Sequence, residues 1–235
     1  MRTRSLSSLL PYVAGIAVAV AGILLGQWQL RRAGEKTELQ HLIDGRAEAP
    51  AQMLAAGERP QNWRRMVLRG RWLVTDPVLI DNRGYRRQPG YHVVGGFELE
   101  DGRTVLVNRG WLAAGGDRRQ LPSIAPPPKG VVDVIGVVRE PETEPFRLAA
   151  DLADSRLRQN LIPHEIAALL DRPVATWVLM QTGELGDGLV RDWPRPDAGI
   201  ERHQGYAFQW FGLAALAAGL TGFFGWRRVR NGRPA

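Results

Sequence analysis

Two long apolar runs stand near the two ends of this 235-residue chain, and polar sequence separates them. Residues 9–30 carry no charged side chain, and neither do residues 204–226. A helix of roughly 20 mostly apolar residues crosses the hydrocarbon core of a bilayer. The pattern therefore predicts a first transmembrane helix at 9–30 and a second at 203–226.

The first run also has features of a cleaved signal peptide, because Arg2 and Arg4 precede it. It is longer than the apolar part of a usual signal peptide, however. It also continues through residues 22–26 without a clear small-x-small cleavage site. These two features favour a retained helix.

Small residues recur within both runs at helical spacing, and such residues let helix backbones approach closely in lipid. They are Gly22 and Gly26 in the first run and Gly212, Ala215, Gly219 and Gly222 in the second. We predict that the two spans pack against each other through these positions. The alternative is that glycine is simply common in membrane helices.

The hydrophobic period changes between the runs. Alternating charges and periodic leucines predict a helix at 31–45, and a proline in the first turn predicts a short helix at 163–170. Strands are predicted at 65–72, 78–80, 91–99, 103–107, 131–138 and 174–180. Asp101-Gly102 is a strong hairpin signal between two of them. The predicted fold class is a membrane protein whose two transmembrane α-helices flank a small extracytoplasmic, β-rich α+β domain, either a barrel or a sandwich.

The net charge of +7 is concentrated at the two ends of the chain. Six arginines flank the apolar runs, which leaves 25 Lys and Arg against 24 Asp and Glu in the middle. A nearly balanced domain argues against nucleic acid as a partner. Arginines beside membrane spans mark the cytoplasmic side. We therefore expect cytoplasmic tails at 1–8 and 227–235 and a periplasmic domain at 31–202.

The sequence lacks the common patterns of catalysis. It contains no cysteine, which excludes disulfides and thiolate metal sites, and no motif joins a nucleophile to a base. We expect the protein not to be an enzyme. His92, on a strand, and His164, beside a proline, are predicted to be ordinary surface or turn residues.

One histidine lies at the outer end of a predicted span. Tyr206 and Trp210 follow His203 at i+3 and i+7, on the same helix face. Trp28, between Gln27 and Gln29, ends the first span at the same predicted depth. One interpretation is an aromatic belt with a snorkelling histidine. The other is a site for a flat hydrophobic cofactor with His203 as an axial ligand, since imidazole is a usual haem ligand.

A short pattern also occurs twice in the predicted domain. A strand runs into Asn-Arg-Gly-aromatic at residues 82–85 and again at 108–111. Asn and Gly favour turns, because both tolerate left-handed backbone. The two arginines are expected to pair either with an anionic partner or with acids of the domain itself.

Several segments along the chain resemble the Surfeit locus protein 1 family, the cytochrome c oxidase assembly factors. The matching segments are LGQWQL at 25–30, NRGY at 82–85, PGY at 89–91, VNRGW at 107–111 and HQGYAFQWF at 203–211. They cover both predicted spans and the domain between them, in the family's order.

The resemblance implies an assembly factor of the bacterial inner membrane that aids haem a insertion into the catalytic subunit of a haem–copper terminal oxidase. It implies His203 as the contact to the haem iron, with Trp28, Tyr206, Gln209 and Trp210 lining the site. The implied partners are the haem-bearing subunit, the lipid bilayer and haem a synthase. Two alternatives stay open, a membrane-anchored docking scaffold that binds no haem and, less favoured, a membrane-tethered enzyme.

Overall fold

The computed structural model describes residues 9–116, 121–141, 155–183, 185–194 and 199–231. The chain divides into two compact units, which are Met1–Leu42 with Arg195–Ala235, and Ile43–Pro194. The first is called the helical unit and the second the β unit. The predicted tail at 1–8 and the last four residues of the tail at 227–235 lie outside the described residues.

The described residues form three helices, α1 at Leu10–Glu48, α2 at Pro163–Leu170 and α3 at Ile200–Asn231. Both α1 and α3 are long and apolar enough to cross a membrane. α1 joins the predicted span at 9–30 and the predicted helix at 31–45 into one element. The protein is a membrane protein with two transmembrane helices, one before the β-rich domain in the sequence and one after it.

The two long helices meet along one narrow seam of small residues. The buried positions of α1 are Gly22, Gly26, Gln29 and Ala33, and those of α3 are Ala207 and Ala214. Steps of four, three and four residues along α1 are the spacing of the a and d positions of a heptad. The helices therefore face each other along a single stripe.

The glycines of α1 set how closely the helices approach. A Cβ atom added to Gly22 would lie 2.9 Å from the Cβ atom of Ala214. One added to Gly26 would lie 2.7 Å from the ring of Phe211. Real Cβ atoms are not found at such distances, so only glycine permits this contact. The predicted role of Gly22 and Gly26 in helix packing is confirmed.

The face predicted for α3 is wrong. No atom lies within 4 Å of a Cβ added to Gly212, Gly219 or Gly222, and Ala215 is exposed. The seam uses the Ala207–Ala214 stripe instead. Spacings of three and four residues identify a helix face with small side chains. They do not tell which of two such faces meets the partner helix.

The described residues of the β unit hold eight strands. They are β1 Gln52–Met53, β2 Arg65–Trp72, β3 Val78–Tyr85, β4 Gln88–Leu99, β5 Thr104–Ala113, β6 Val131–Arg139, β7 Leu157–Arg158 and β8 Val178–Gln181. The Asp101-Gly102 turn joins β4 to β5, as predicted, with Gly102 at a φ of 84°.

Five of these strands close into a barrel in the order β2, β6, β8, β5 and β4. β4 pairs back to β2 through Gly70 with Leu99 and Trp72 with Phe97. Closure depends on the length of β4, because its first part pairs with β3 and only its last residues reach β2. Of the two predicted architectures, the barrel is confirmed.

Large apolar side chains from all five barrel strands fill its interior, including Met66, Leu68, Phe97, Val105 and Leu179. A second cluster packs outside the barrel wall against Ile166 of α2. β5 serves both clusters, with Val105 and Val107 in the first and Leu106 in the second. A strand that is buried on both faces reads as a continuous apolar run, as β5 does.

Three predicted boundaries needed correction. The strand predicted at 174–180 begins only at Val178, and the preceding residues reach the core irregularly, with Trp177 3% exposed. The strands predicted at 78–80 and 103–107 continue through Tyr85 and Ala113. The two-residue strands β1 and β7 were not predicted, because two residues carry no periodicity.

Candidate functional site

A polar pair lies at one end of the helix seam. The Nδ1 atom of His203, on α3, is 2.6 Å from the Oε1 atom of Gln29, on α1. Gln29 is only 9% exposed, although apolar residues dominate the helix around it. Polar side chains within membrane helices are costly unless they are paired, so this contact locks the two helices in register.

The contact fits one tautomer of the imidazole. Because an amide oxygen only accepts hydrogen bonds, the contact is a hydrogen bond when Nδ1 of His203 carries the proton. In the neutral ring the other nitrogen, Nε2, then carries the lone pair. A histidine that binds a metal through one nitrogen usually donates from the other to a fixed acceptor, and His203 has this arrangement.

The predicted aromatic residues lie at the same end of the helix pair as His203, with different exposures. Trp210 is half-buried in the seam, whereas Trp28 is 45% exposed and Tyr206 is 52% exposed. A helix turns by about 100° per residue, which places Trp28 and Tyr206 on the same side of an antiparallel seam. The structure therefore brings His203, Trp28, Tyr206 and Trp210 to one end of the helix pair.

Gln209 lies on a different face of α3 from His203. It follows His203 by six positions, which rotates it by about 120° away from α1. It is exposed. Gln29 takes the place in the pair that an amide was expected to fill.

Gln29 was predicted from the sequence to lie, with Gln27 and Trp28, at the same depth as His203, but not to be its partner. A clearer signal was available, because Gln29 continues the spacing of Gly22 and Gly26 along the contact face. A polar residue on a stripe of small residues is expected to meet the partner helix. Among the described residues, no group of three His, Asp or Glu side chains gathers in a way that suits a metal ion.

The repeated Asn-Arg-Gly pattern forms two β-bulges on opposite edges of β4. The register slips between Ile80 and Arg83 on one edge and beside Gly110 on the other. Asn82 has a φ of 57° and Gly110 a φ of 152°, so each bulge has a residue at positive φ. The predicted backbone role of Asn and Gly is confirmed, in bulges rather than turns.

Groups of the β unit itself contact both arginines of the repeat. Arg109, 4% exposed, lies 3.6 Å from Asp187 and donates to the carbonyl of Ala125 at 2.9 Å. Burial acts to raise the pKa of Asp187, but a hydrogen bond from Arg191 and the nearby Arg109 outweigh it and lower that pKa. Arg83 donates to the carbonyl of Gln159 at 2.9 Å.

The two other histidines considered in the sequence, His164 and His92, differ in their exposure. The side chain of His164 is 79% exposed, as predicted. His92 is not a surface residue, since it is partly buried and packs edge to face on Trp193, with ring centroids 5.2 Å apart. Burial, with a smaller contribution from Arg83, lowers the pKa of His92 from 6.5 to about 4. A strand face covered by a distant loop was not visible in the sequence.

Comparison of the sequence with known proteins identifies its family. The sequence model of the SURF1 family matches residues 16–215, which cover most of α1, the β unit and the first half of α3. The cytochrome oxidase assembly protein SHY1 of Saccharomyces cerevisiae is 27% identical over 135 residues, or 54% of this chain and 35% of the yeast protein. A SURF1-like protein of Rickettsia bellii is 25% identical over 199 residues, or 82% of this chain and 81% of that protein. The matched region is thus about a third of the yeast relative and about four fifths of the bacterial one.

Proposed function

This chain belongs to the SURF1 family, and from that premise we propose that it is a non-enzymatic assembly factor for a cytochrome oxidase. The name of the yeast relative supports this role. In its finer form, the proposal is that the helical unit holds haem a, with His203 as ligand, and aids its insertion into the haem-bearing oxidase subunit. The single observation that carries the finer form is the contact between His203 and Gln29.

The donor set of the seam fits a haem group. Nε2 of His203 offers the lone pair that haem iron takes from an imidazole. Gln29 fixes the ring orientation through Nδ1. A bound haem would supply an iron centre and a large flat apolar surface. Trp28, Tyr206 and Trp210 provide rings for such a surface.

The docking scaffold without haem remains the second candidate. The exposed rings of Trp28 and Tyr206 favour it, because tryptophan and tyrosine anchor helices at the membrane surface without any ligand. The two candidates differ in the importance of Nε2 of His203. A scaffold needs only the helix pairing, whereas a haem site needs the nitrogen as well.

The membrane arrangement follows from charge. Arg227, Arg228 and Arg230 end α3, and the α1 end of the pair adds Arg2 and Arg4 in the sequence. The proposal therefore places both termini in the cytoplasm of a bacterium and residues 31–202 in the periplasm. The proposed partners are the lipid bilayer, the haem-bearing subunit and haem a synthase as the haem donor.

The test is an absorption spectrum of the full chain, purified from cells that make haem a. We expect a Soret band from the unmodified chain and loss of most of it in His203→Ala, since the variant removes the ligand. Gln29→Leu is expected to keep the ligand but weaken haem affinity about tenfold or more, as removal of an orienting partner does.

His41→Ala is the matched control, because His41 is an exposed histidine on α1 away from the seam. It should keep the full band. A band of unchanged height in His203→Ala would remove ligation by this residue. If that variant loses the band yet still copurifies with the oxidase subunit, haem binding and docking are separate properties.

A further inference from the structure

A polar cavity lies in the β unit, on the outer face of the barrel wall. Its volume is about 310 Å³. This is at the lower end of the usual range for small-molecule sites. Side chains from β3, β4, β5, β6 and β8 line it, together with the segments at 160–161 and 193–194. All of these residues belong to one unit, so the cavity is independent of the helix seam.

A buried amide in this cavity has no hydrogen-bond acceptor. Asn108 is 0% exposed and lines the cavity, and its Oδ1 atom accepts a hydrogen bond from the backbone N–H of Gly110 at 3.3 Å. Among the described residues, its Nδ2 atom has no partner. Leaving a buried donor unpaired costs about 1–3 kcal/mol, so such groups call for an explanation.

A guanidinium that has no carboxylate partner among the described residues lines the same cavity. Arg139 is half-buried and stacks on Trp63, with its Cζ atom 3.5 Å from the ring centroid. Burial alone lowers the pKa of Arg139, which means that no neighbouring acid in the described chain counters it. Glu140 also lines the cavity, but its carboxylate is bound to Arg59 at 3.1 Å.

The remaining walls define what else a ligand would meet. Ile80, Leu161, Val178 and Met180 present apolar surface, and the ring of Trp193 closes one side. His92 contributes a neutral imidazole, which neither repels nor neutralises an anion. Two guanidinium groups line the cavity, that of Arg83, which donates to the carbonyl of Gln159, and that of Arg139, which has no carboxylate partner among the described residues. The cavity thus combines hydrogen-bond donors and positive charge with an apolar floor.

We propose that this cavity binds a small organic carboxylate, with its carboxylate group between Asn108 and Arg139 and its apolar body against Ile80 and Met180. The carboxylate would accept the orphan N–H of Asn108 and give Arg139 a counter-ion. Charge-assisted hydrogen bonds of this kind are the stronger ones in proteins. The proposal stands apart from haem binding and from oxidase assembly.

Calorimetric titration of the full chain in detergent tests this proposal, with benzoate and hexanoate as probes. Benzamide and hexanol are the matched neutral probes, and inorganic phosphate is the anion without an apolar body. We expect saturable binding of one carboxylate per chain and much weaker binding of the other three probes. Arg139→Gln and Asn108→Leu should each weaken carboxylate binding about tenfold or more, because each removes one contact to a charged group.

The stability of Asn108→Leu separates a binding role from a structural one. Asn108→Leu removes the Nδ2 donor, but it also removes the acceptor of the Gly110 N–H, which costs about 1–3 kcal/mol. We therefore expect lost binding together with a modest fall in Tm that leaves the chain folded during the titration. Arg71→Gln, which removes an exposed cation elsewhere on the barrel, should leave binding unchanged.

Three results would overturn the proposal. The first is no saturable binding of either carboxylate, and the second is equal binding of carboxylates and their neutral counterparts. The third is binding of phosphate at least as tight as that of the carboxylates. None of these results bears on the Soret band of the helical unit.

Discussion

The helical unit and the β unit are packed with opposite kinds of side chain. The helix seam joins Gly22 to Ala214 and Gly26 to the edge of the Phe211 ring, and large apolar residues such as Phe208 face outward, 81% exposed. The barrel interior holds Phe97 and Leu68 at 0% exposure. Large apolar side chains are therefore buried in the β unit, whereas in the helical unit they are exposed and the small residues are buried.

The reversal shows which solvent each unit meets. Burying apolar surface away from water yields about 25 cal/mol per Å², which favours large side chains inside the barrel. Lipid is as apolar as leucine, so a large side chain gains little by leaving it. Helix contact in lipid depends on close backbone approach and on polar pairs, which is why the seam is made of glycine, alanine and one Gln–His pair.

The largest loss of stability is expected from a substitution in the barrel interior. Phe97 packs edge to face on Trp72, with ring centroids 5.1 Å apart. Phe97→Ala should lower the free energy of unfolding of the β unit by about 3–5 kcal/mol, because it leaves a cavity in a water-driven core. Urea unfolding followed by far-UV circular dichroism of the full chain measures this loss.

Phe208→Ala is the matched control, because it removes the same side chain from the lipid-facing side of α3. The midpoint of the β-unit transition should not change. A similar loss in both variants would mean that the two units do not differ in their driving force.

Acid should destabilise the β unit through His92 by up to about 3 kcal/mol. The unfolded chain takes up a proton near pH 6.5, whereas the folded chain does so only near pH 4. Stability is therefore complete above pH 6.5 and falls as pH drops from 6.5 to 4. Thermal unfolding of the full chain across this range measures the fall, and His92→Gln should remove most of it.

His164→Gln should keep the acid sensitivity, since that side chain is exposed. Asp101 affects the stability of the β unit in a separate pH range. A hydrogen bond from Arg103 lowers the pKa of Asp101 from 3.8 to about 2, so its contribution is lost only below pH 3.8. An acid transition that is identical with and without His92 would contradict the assignment.

A smaller loss of stability is expected from a substitution in the helix seam. Gly22→Leu should disturb the helix pair by about 1–3 kcal/mol, the usual cost of overpacking. Gly219→Leu should have no effect, because open space surrounds that position. Cross-linking reports the pairing directly, since the chain has no cysteine of its own.

Gly15→Cys with Thr221→Cys forms the reporter pair. A Cβ added to Gly15 would lie 3.3 Å from the Cβ of Thr221, near the roughly 3.8 Å that a disulfide spans. The disulfide should form readily beside Gly219→Leu and poorly beside Gly22→Leu. Equal yields would show that close approach at Gly22 is not what holds the helices.

Local signals predicted those parts of the fold that local chemistry determines. β2 at Arg65–Trp72 and α2 at Pro163–Leu170 have their predicted bounds, because strand alternation and a proline at the helix start are properties of neighbouring residues. The closure of β4 onto β2 is a long-range contact. No short window of the sequence carries it, so barrel and sandwich could not be separated beforehand.

The seam site and the cavity also depend on long-range contacts, which the sequence could not predict. The placement of His203 beside Trp210 follows from helix periodicity within one run. Its pairing with Gln29 depends on which stripe of α3 meets α1, and two stripes of small residues were available. The cavity at Asn108 joins β5, β6 and the segment at 193–194, which are far apart in the chain.

Barrel closure also limits how a partner protein can recognise the β unit. Adding a peptide strand to a sheet requires a long, regular open edge. Among the described strands, β1 and β7 offer two residues each, and the bulge at Asn82 interrupts the outer edge of β3. The described strands therefore favour recognition of this unit through side-chain surfaces rather than through β-augmentation.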